Sequence, residues 1–200
     1  MRVHTHSNPH SFYRRMEPLD LGAIFPGFDG TIDLEIGTGM GLFLRQYGAS
    51  FPDRKIVGVE VRKKVADAVA ERVQADQLIN VHMVYGSAER LIEDALPDGV
   101  ISKVFIFHPD PWFKKRHHGR RVVRPSFLKL IAPKLVSDAR LYISTDVNEL
   151  WDAMVETLTA HRWHKIDDAE FWTTHYHTHW KRFTESESRS QNFGTFIRDV

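Results

Sequence analysis

The sequence predicts an α/β fold of the Rossmann-like type, with a mixed, mostly parallel sheet of seven strands and helices on both faces. Three observations lead to this prediction. From residue 31 onward, short apolar segments alternate with segments whose apolar residues recur at helical spacing. The first apolar segment is followed by a glycine-rich turn. The last two strand-like segments have no clear helix between them, which favours an antiparallel edge.

The predicted strands are short apolar runs bounded by polar or turn-forming residues. In chain order they are Thr31–Ile36, Lys55–Glu60, Val81–Tyr85, Lys103–Phe107, Arg140–Ser144, Trp163–Asp167 and Phe193–Arg198. The predicted helices carry their apolar residues on one stripe. They are Leu42–Ala49, Lys63–Ala75, Ala88–Leu96, Pro125–Leu135 and Val147–His161. We therefore expect one domain over residues 31–200, preceded by an irregular arm over residues 1–30.

Composition restricts the class of protein. A chain of 200 residues that is 42% hydrophobic can bury the core of one ordinary domain. The absence of cysteine excludes disulfides, thiol catalysis and thiolate metal sites. No apolar run has the length of a leader or a membrane span, so we expect a cytoplasmic protein that contacts no membrane. Whether it is a monomer or a homodimer stays open.

Charge is distributed unevenly although the net charge is only +1. No acidic residue occurs from residue 111 to residue 137, and eight cations fall inside that stretch. They are Lys114, Lys115, Arg116, Arg120, Arg121, Arg124, Lys129 and Lys134. Such a cationic block in a nearly neutral chain indicates a surface for a polyanion.

The turn after the first strand predicts a ligand site, because ligands of such sheets bind beyond the carboxyl ends of the strands. Its glycines are Gly37, Gly39 and Gly41. The dinucleotide fingerprint is broken because its third glycine is replaced by Leu42, and Glu35 precedes the turn. A carboxylate disfavours a pyrophosphate but suits S-adenosylmethionine, which carries a sulfonium and an ammonium group. Glu60, at the end of the second strand, is placed to accept hydrogen bonds from ribose hydroxyls.

A second chemically distinctive segment follows the fourth strand. Pro109 and Pro111 bracket Asp110, so neither a strand nor a helix can continue through it. This holds Asp110 near the crevice where the cofactor is expected. Trp112 and Phe113 offer flat faces to a nucleobase, and the cations that follow can contact phosphate.

With these motifs the sequence resembles the bacterial tRNA (guanine-N7)-methyltransferase family, whose fold is that of the class I methyltransferases. The motifs are Glu35-Ile36-Gly37-x-Gly39-x-Gly41, Gly58-x-Glu60, Pro109-Asp110-Pro111-Trp112-x-Lys114 followed by Arg120-Arg121, Ser144-Thr145-Asp146, and Thr184-x-x-Glu187-x-Arg189. Together they extend over most of the chain, and the proline-bracketed motif and the last motif are the most specific.

The resemblance implies that S-adenosylmethionine is the cofactor and that N7 of a guanine in the variable loop of tRNA receives the methyl group. The residues implied to hold the cofactor are Glu35, Gly37, Gly39, Gly41, Glu60, Ser87 and Asp110. The residues implied to contact the substrate are Lys114, Asp146, Thr184, Glu187 and Arg189. Three positions depart from the family pattern. Ser190 replaces the glycine that commonly follows the last motif. His108 replaces a phenylalanine, and Ser87 replaces an acid or Asn while still able to hydrogen-bond the adenine amine.

The chemistry of guanine N7 suggests what the active site must do. N7 has an available lone pair, so methylation requires alignment and some negative potential rather than removal of a proton. We expect Asp110 to be the active-site carboxylate. It either accepts hydrogen bonds from guanine N1–H and the exocyclic amine or stabilises the developing positive charge.

Three other functions compete with this interpretation. An NAD-dependent oxidoreductase is disfavoured by Leu42 and by the lack of a convincing Tyr/Lys or His/Asp pair. A non-catalytic RNA-binding protein would leave Glu35, Glu60 and Asp110 without a purpose. A methyltransferase for another substrate would not explain the cationic block. No metal is predicted, because the alternating His175, His177 and His179 are more typical of a polar loop packed by Tyr176 and Trp180.

Overall fold

The computed structural model describes residues 12–28, 30–178 and 191–199, and within them seven strands form one sheet. The strands are β1 (Ile32–Ile36), β2 (Ile56–Glu60), β3 (Val81–Tyr85), β4 (Ile101–Phe107), β5 (Leu135–Thr145), β6 (Trp163–Ile166) and β7 (Asn192–Arg198). Their order is β3-β2-β1-β4-β5-β7-β6. Strands β1 to β5 pair in parallel, whereas β7 is antiparallel to both of its neighbours. The predicted fold class, including the antiparallel edge, is confirmed.

Helices connect the parallel strands. They are α1 (Leu21–Ile24), α2 (Leu42–Ser50), α3 (Lys63–Ala75), α4 (Ala88–Arg90), α5 (Pro125–Ile131) and α6 (Asn148–Ala160). Helix α4 continues as a π-helical turn over Leu91–Ala95. Helix α5 begins at its proline, which suits the first turn because that N–H has no intrahelical partner. No helix in the described part of the chain is long and apolar enough to cross a membrane.

The region after β6 begins with a turn that was not predicted. Residues Phe171–His175 form a π-helical turn, and Phe171, Trp172 and Tyr176 are buried. The indole Nε1 of Trp172 donates a hydrogen bond of 2.9 Å to Thr195 Oγ1 in β7. The prediction that Tyr176 packs inward is therefore confirmed. His179 and Trp180 lie outside the described residues.

The sheet separates two apolar clusters, and β1 shows how the sequence produces them. Ile32 and Leu34 belong to the cluster that also contains side chains of α5 and α6. The alternate residue Asp33 faces α2, where Tyr47 Oη donates to its carboxylate at 2.8 Å. Arg54 donates to both oxygens of the same carboxylate at 2.5 Å. A fully buried acid is thus paired, as burial of a charge requires.

Strand register brings the predicted site residues to one edge of the sheet. Ile36 in β1 is opposite Val59 in β2 and Ile106 in β4. The loops that follow these three strands therefore leave the sheet at the same level. Because the strand order reverses between β1 and β4, this edge contains the crevice in which such folds bind ligands.

Candidate active site

The turn after β1 has a left-handed backbone and an open concave side. Gly37 and Gly39 have φ values of 76° and 52°, and a Cβ added to either would meet nothing within 4 Å. Gly41 differs, because a Cβ there would lie 2.5 Å from Cγ1 of Val69 in α3. The first two glycines therefore leave space for a ligand, whereas the third permits α2 and α3 to pack closely.

Glu35 is a buried carboxyl near the end of β1, two residues before Gly37 of this turn. Its Oε2 atom is buried and has no hydrogen-bond partner among the described residues. Burial, and secondarily the charge of Glu60, raises the pKa of Glu35 to about 8. A carboxyl in this environment is stabilised by any cation that enters the crevice, because ionisation then gains a partner. This feature fits a ligand that carries an ammonium or sulfonium group.

Glu60, at the end of β2, already accepts four hydrogen bonds. The N–H of Gly39 donates to Oε2 at 3.1 Å. The backbone N–H and Nε of Arg62 donate to Oε1 at 3.0 and 2.9 Å, and Nη2 donates to Oε2 at 2.9 Å. Since a carboxylate has about four lone-pair sites, ribose hydroxyls would have to replace hydrogen bonds from Arg62.

Arg62 was not singled out from the sequence, although it lies between two predicted site residues. Its pKa is raised chiefly by its hydrogen bonds to Glu60, and the charges of Glu60 and Asp110 contribute. The carboxylate of Asp110 therefore acts on the guanidinium that holds Glu60. Asp110 itself is exposed, on the loop that leaves β4. The structure thus brings Asp110 to the same end of the sheet as the glycine turn.

Ser87 follows β3 and is buried. Its Oγ accepts a hydrogen bond of 3.4 Å from the backbone N–H of Arg90 and so caps α4. The hydroxyl proton can still be donated to a ligand.

His108 and Asp146 directly follow two neighbouring strands, β4 and β5, and face each other. Nδ1 of His108 lies 3.5 Å from Oδ1 of Asp146, and its Nε2 lies 2.7 Å from the hydroxyl of Tyr176. That hydroxyl donates to Ser144 Oγ at 2.7 Å. Burial lowers the pKa of His108 to about 4, against the opposing effect of Asp146. The imidazole is therefore neutral at physiological pH, hydrogen-bonded through Nε2 to Tyr176 and with Nδ1 buried beside the carboxylate of Asp146.

The loop that follows Asp110 presents aromatic rings and cations. Residues Lys115–Arg120 form a 3₁₀ turn. Lys114 is exposed, and the side chain of Phe113 is 67% exposed. The guanidinium of Arg120 lies 5.1 Å from the centroid of the Trp112 indole, a cation–π arrangement. This surface suits a nucleic acid, since it combines flat rings with cations.

Two cations of the predicted phosphate-contacting block have internal roles instead. Arg121 is buried and donates to the carbonyl of Pro111 at 2.9 Å and to Glu149 at 3.2 Å. Arg124 forms an ion pair with Glu89 and donates to the carbonyl of Arg121 at 2.9 Å. These bonds hold the loop against the body of the domain. The exposed cations therefore lie at its beginning.

The remaining predicted substrate residues, Thr184, Glu187 and Arg189, lie outside the described residues. The chain is described again just after them, where Asn192 of β7 pairs with Thr145 of β5. Among the described residues, no group of three or more metal-ligating side chains is arranged to hold a metal ion.

The strand order, the open glycine turn and the two acids Glu35 and Glu60 together define a class I, S-adenosylmethionine-dependent methyltransferase. Solved structures share the fold at low sequence identity. A 16S rRNA methyltransferase, KamB, superposes with a TM-score of 0.65 at 18% identity, over 94% of this chain and 98% of that one. An antibiotic-related methyltransferase gives a TM-score of 0.63 at 16% identity, over 92% of this chain and 97% of that one.

Sequence comparisons identify the family within the class I methyltransferases. A family model described as "Putative methyltransferase" matches residues 29–200. The tRNA (guanine-N(7)-)-methyltransferase of Aeromonas hydrophila is 31% identical over 92% of this chain and 77% of its own length. That of Thermosynechococcus vestitus is 34% identical, over 80% and 76% respectively. The chain belongs to this tRNA (guanine-N7)-methyltransferase family, as predicted, and its cofactor is S-adenosylmethionine.

The matched part does not extend over the whole of every relative. The tRNA (guanine-N(7)-)-methyltransferase of Aromatoleum aromaticum is 37% identical over 73% of this chain, which corresponds to 56% of the relative's length. The comparisons do not favour an oxidoreductase or a non-catalytic RNA-binding protein.

Proposed function

We propose that this chain transfers the methyl group of S-adenosylmethionine to N7 of a guanine in the variable loop of tRNA. One observation supports the proposal most strongly: a buried carboxyl, Glu35, lacks a hydrogen-bond partner among the described residues beside an open glycine turn. The loop containing Asp110 is at the same end of the sheet. Because tRNA is present in the cytoplasm, we also propose that this protein acts there.

The residues around the turn would hold the cofactor, which supplies a methyl group activated by its sulfonium. Glu35 would pair with the ammonium group and become ionised as it does so. Gly37 and Gly39 would allow the ligand to approach the backbone. Glu60 would accept hydrogen bonds from the ribose hydroxyls in exchange for those of Arg62, and Ser87 would donate to the adenine.

Asp110 would act on the guanine rather than remove a proton from N7. The flanking prolines restrain the backbone at Asp110, and its carboxylate would accept hydrogen bonds from N1–H and the exocyclic amine at the mouth of the crevice. The same negative charge would stabilise the cationic ring that forms on methylation. Alignment of two reactants can lower a barrier by roughly 7–11 kcal/mol. Because N7 carries no proton, its methylation requires no general base.

The cationic loop would bind the backbone of the RNA. Lys114 and its exposed neighbours would contact phosphates, and Trp112 and Phe113 would contact bases. Asp146 would contact the substrate beside His108. Thr184, Glu187 and Arg189 are proposed to contact the substrate on the family resemblance alone.

The test is methylation of an unmodified tRNA transcript with labelled S-adenosylmethionine, followed by chain cleavage at 7-methylguanine. We expect cleavage at one guanine of the variable loop. A matched transcript with 7-deazaguanosine in place of guanosine has no N7 and should take up no label. Label in the 7-deaza transcript, or at an atom other than N7, would contradict the proposal.

A further inference from the structure

Within the arm expected over residues 1–30, residues 12–19 are fixed to the π-helical turn that follows α4, and from here on the arm means these eight residues. The backbone N–H of Met16 donates to Oδ2 of Asp94 at 3.2 Å. The backbone N–H of Leu19 donates to the carbonyl of Ala95 at 3.0 Å. The side chain of Asp94 is only 4% exposed. The arm therefore has a definite position on the domain.

This position places two apolar side chains of the arm over the carboxyl end of β3. The Phe12 ring meets the Tyr85 ring edge to face, with 5.4 Å between centroids. A Cβ added to Gly86 would lie 3.2 Å from Sδ and 3.3 Å from Cε of Met16, and 3.7 Å from Cζ of Phe12. The thioether and the ring thus lie over Gly86, where a side chain would crowd the thioether.

The end of β3 is where the base of a nucleoside held by Glu60 would lie. Tyr85 is opposite Glu60 in the parallel pairing, and the N–H of Gly86 donates to the Glu60 carbonyl at 3.0 Å. Neighbouring strands are about 4.8 Å apart, which is close to the distance from a ribose to its purine. A ribose bound to Glu60 therefore directs its base towards Gly86 and Ser87.

We propose that Phe12 and Met16 form one wall of the pocket for the adenine of S-adenosylmethionine. The inference rests on the cofactor placement proposed above. A purine ring is a flat apolar surface, and aromatic rings and thioethers make favourable contacts with such a surface. Met16 is half-buried, so part of its side chain faces outward and is available for this contact. The arm then serves cofactor binding directly.

The first test measures ligand binding by titration calorimetry, without RNA. Met16→Ala and Phe12→Ala should each weaken binding of S-adenosylhomocysteine by about threefold to tenfold. The binding of adenosine to these variants should weaken by the same factor, because the lost contact is made to the base. Met16→Leu should restore most of the affinity. Tyr13→Ala is the matched control, since that side chain is 80% exposed. The affinity of this variant for both ligands should equal that of the wild type.

A second test does not depend on the folding of a variant. Hydroxyl-radical footprinting of the unaltered chain should show that S-adenosylhomocysteine protects Met16 from oxidation and leaves Tyr13 as reactive as before. Unchanged oxidation of Met16 would overturn the proposal. Wild-type affinity in Met16→Ala and Phe12→Ala would also overturn it, as would tighter binding, which would make these side chains occupants of the pocket rather than its wall.

These outcomes are separable from a failure of the proposed function. Binding that is normal in the wild type and insensitive to the arm contradicts only the adenine wall. A wild-type chain that binds no S-adenosylhomocysteine contradicts the cofactor placement as well as the wall.

Discussion

The ionisation of Glu35 depends strongly on its surroundings. It is buried beside Glu60, and both circumstances oppose its negative charge. Between its ordinary pKa of 4.5 and its folded-state pKa of about 8, the carboxyl is protonated in the folded chain and ionised in the unfolded chain. The unfolded state then binds fewer protons, so this group lowers the stability of the free protein as pH rises through that window.

Replacing Glu35 by Gln tests this coupling. Relative to wild type, the free energy of unfolding of Glu35→Gln should increase from pH 5 to pH 8, by an amount on the order of a few kcal/mol. Binding of S-adenosylhomocysteine should weaken at least about tenfold, because the ammonium group loses its buried partner. Urea unfolding at each pH and calorimetry measure the two effects. Parallel stability profiles for variant and wild type would show that Glu35 is ionised in the free protein.

His108 produces the opposite dependence on pH. Its pKa is about 4 in the folded chain and 6.5 ordinarily, so the unfolded chain takes up the proton first as pH falls. Its contribution to stability is complete above about pH 6.5 and is lost between pH 6.5 and pH 4.

His108→Phe, which introduces the residue usual in the family, should remove this loss. We expect the stability difference between variant and wild type to move in favour of the variant by about 2–3 kcal/mol as pH falls from 7 to 4. Comparing the two proteins at each pH cancels the contribution of Glu35. Denaturant unfolding provides the measurement, and a pH-independent difference would contradict the assignment of a neutral imidazole.

At the scale of elements, the loop between β4 and α5 combines a rigid support with an exposed cationic end. Arg121 and Arg124 are turned inward by bonds to Glu149 and Glu89. Lys114, Lys115 and Arg116 remain exposed. Although the two sets are adjacent in sequence, mutation of the inward-turned arginines should affect the stability of the loop, whereas mutation of the exposed cations should affect RNA binding.

Changing Lys114, Lys115 and Arg116 together to Ala should weaken tRNA binding and reduce its dependence on salt. Each phosphate contact contributes about 0.9 to the slope of log K against log salt on a duplex, so the slope should fall by about 2–3. Arg198→Ala, an exposed cation at the end of β7 on the opposite edge of the sheet, is the matched control and should leave the slope unchanged. The measurement is the tRNA binding constant of each protein over a range from low to moderate salt concentration. An unchanged slope in the triple variant would place the RNA elsewhere.

The elements themselves show how far periodicity could predict the fold. It predicted the observed bounds of α3 because the apolar residues of that helix recur at regular spacing. It predicted the bounds of β3 because turn-forming residues flank a short apolar run. It predicted Ala88–Leu96 as one helix, whereas the structure changes from an α-helix to a π-helical turn at Leu91. The apolar pattern could not distinguish the two, because an α-helix and a π-helical turn would both bury Leu91 and Ile92. It missed Phe171–His175, because five residues are too few for a periodic signal and tertiary contacts with β4 and β7 hold that turn.

At the scale of the whole molecule, the sheet brings together residues that are far apart in the sequence. Glu35, Glu60 and the loop of Asp110 meet because parallel strands end at the same edge. This convergence was predictable from motifs that follow strands. The position of Arg62 between Glu60 and Asp110 was not, because it depends on the direction of a long side chain in the folded domain. The contact of the arm with β3 was equally unpredictable, since the arm has no periodic pattern.

The central claim is that the carboxylate of Asp110 acts on a guanine presented to the cofactor at this edge. The most direct measurement is the single-turnover rate of tRNA methylation by Asp110→Asn, at saturating cofactor and RNA. Because cofactor and RNA are saturating, the rate reports the chemical step, and we expect it to fall about 10²- to 10³-fold, as when one stabilising group is removed from a preorganised site. A rate close to that of the wild type would contradict the account.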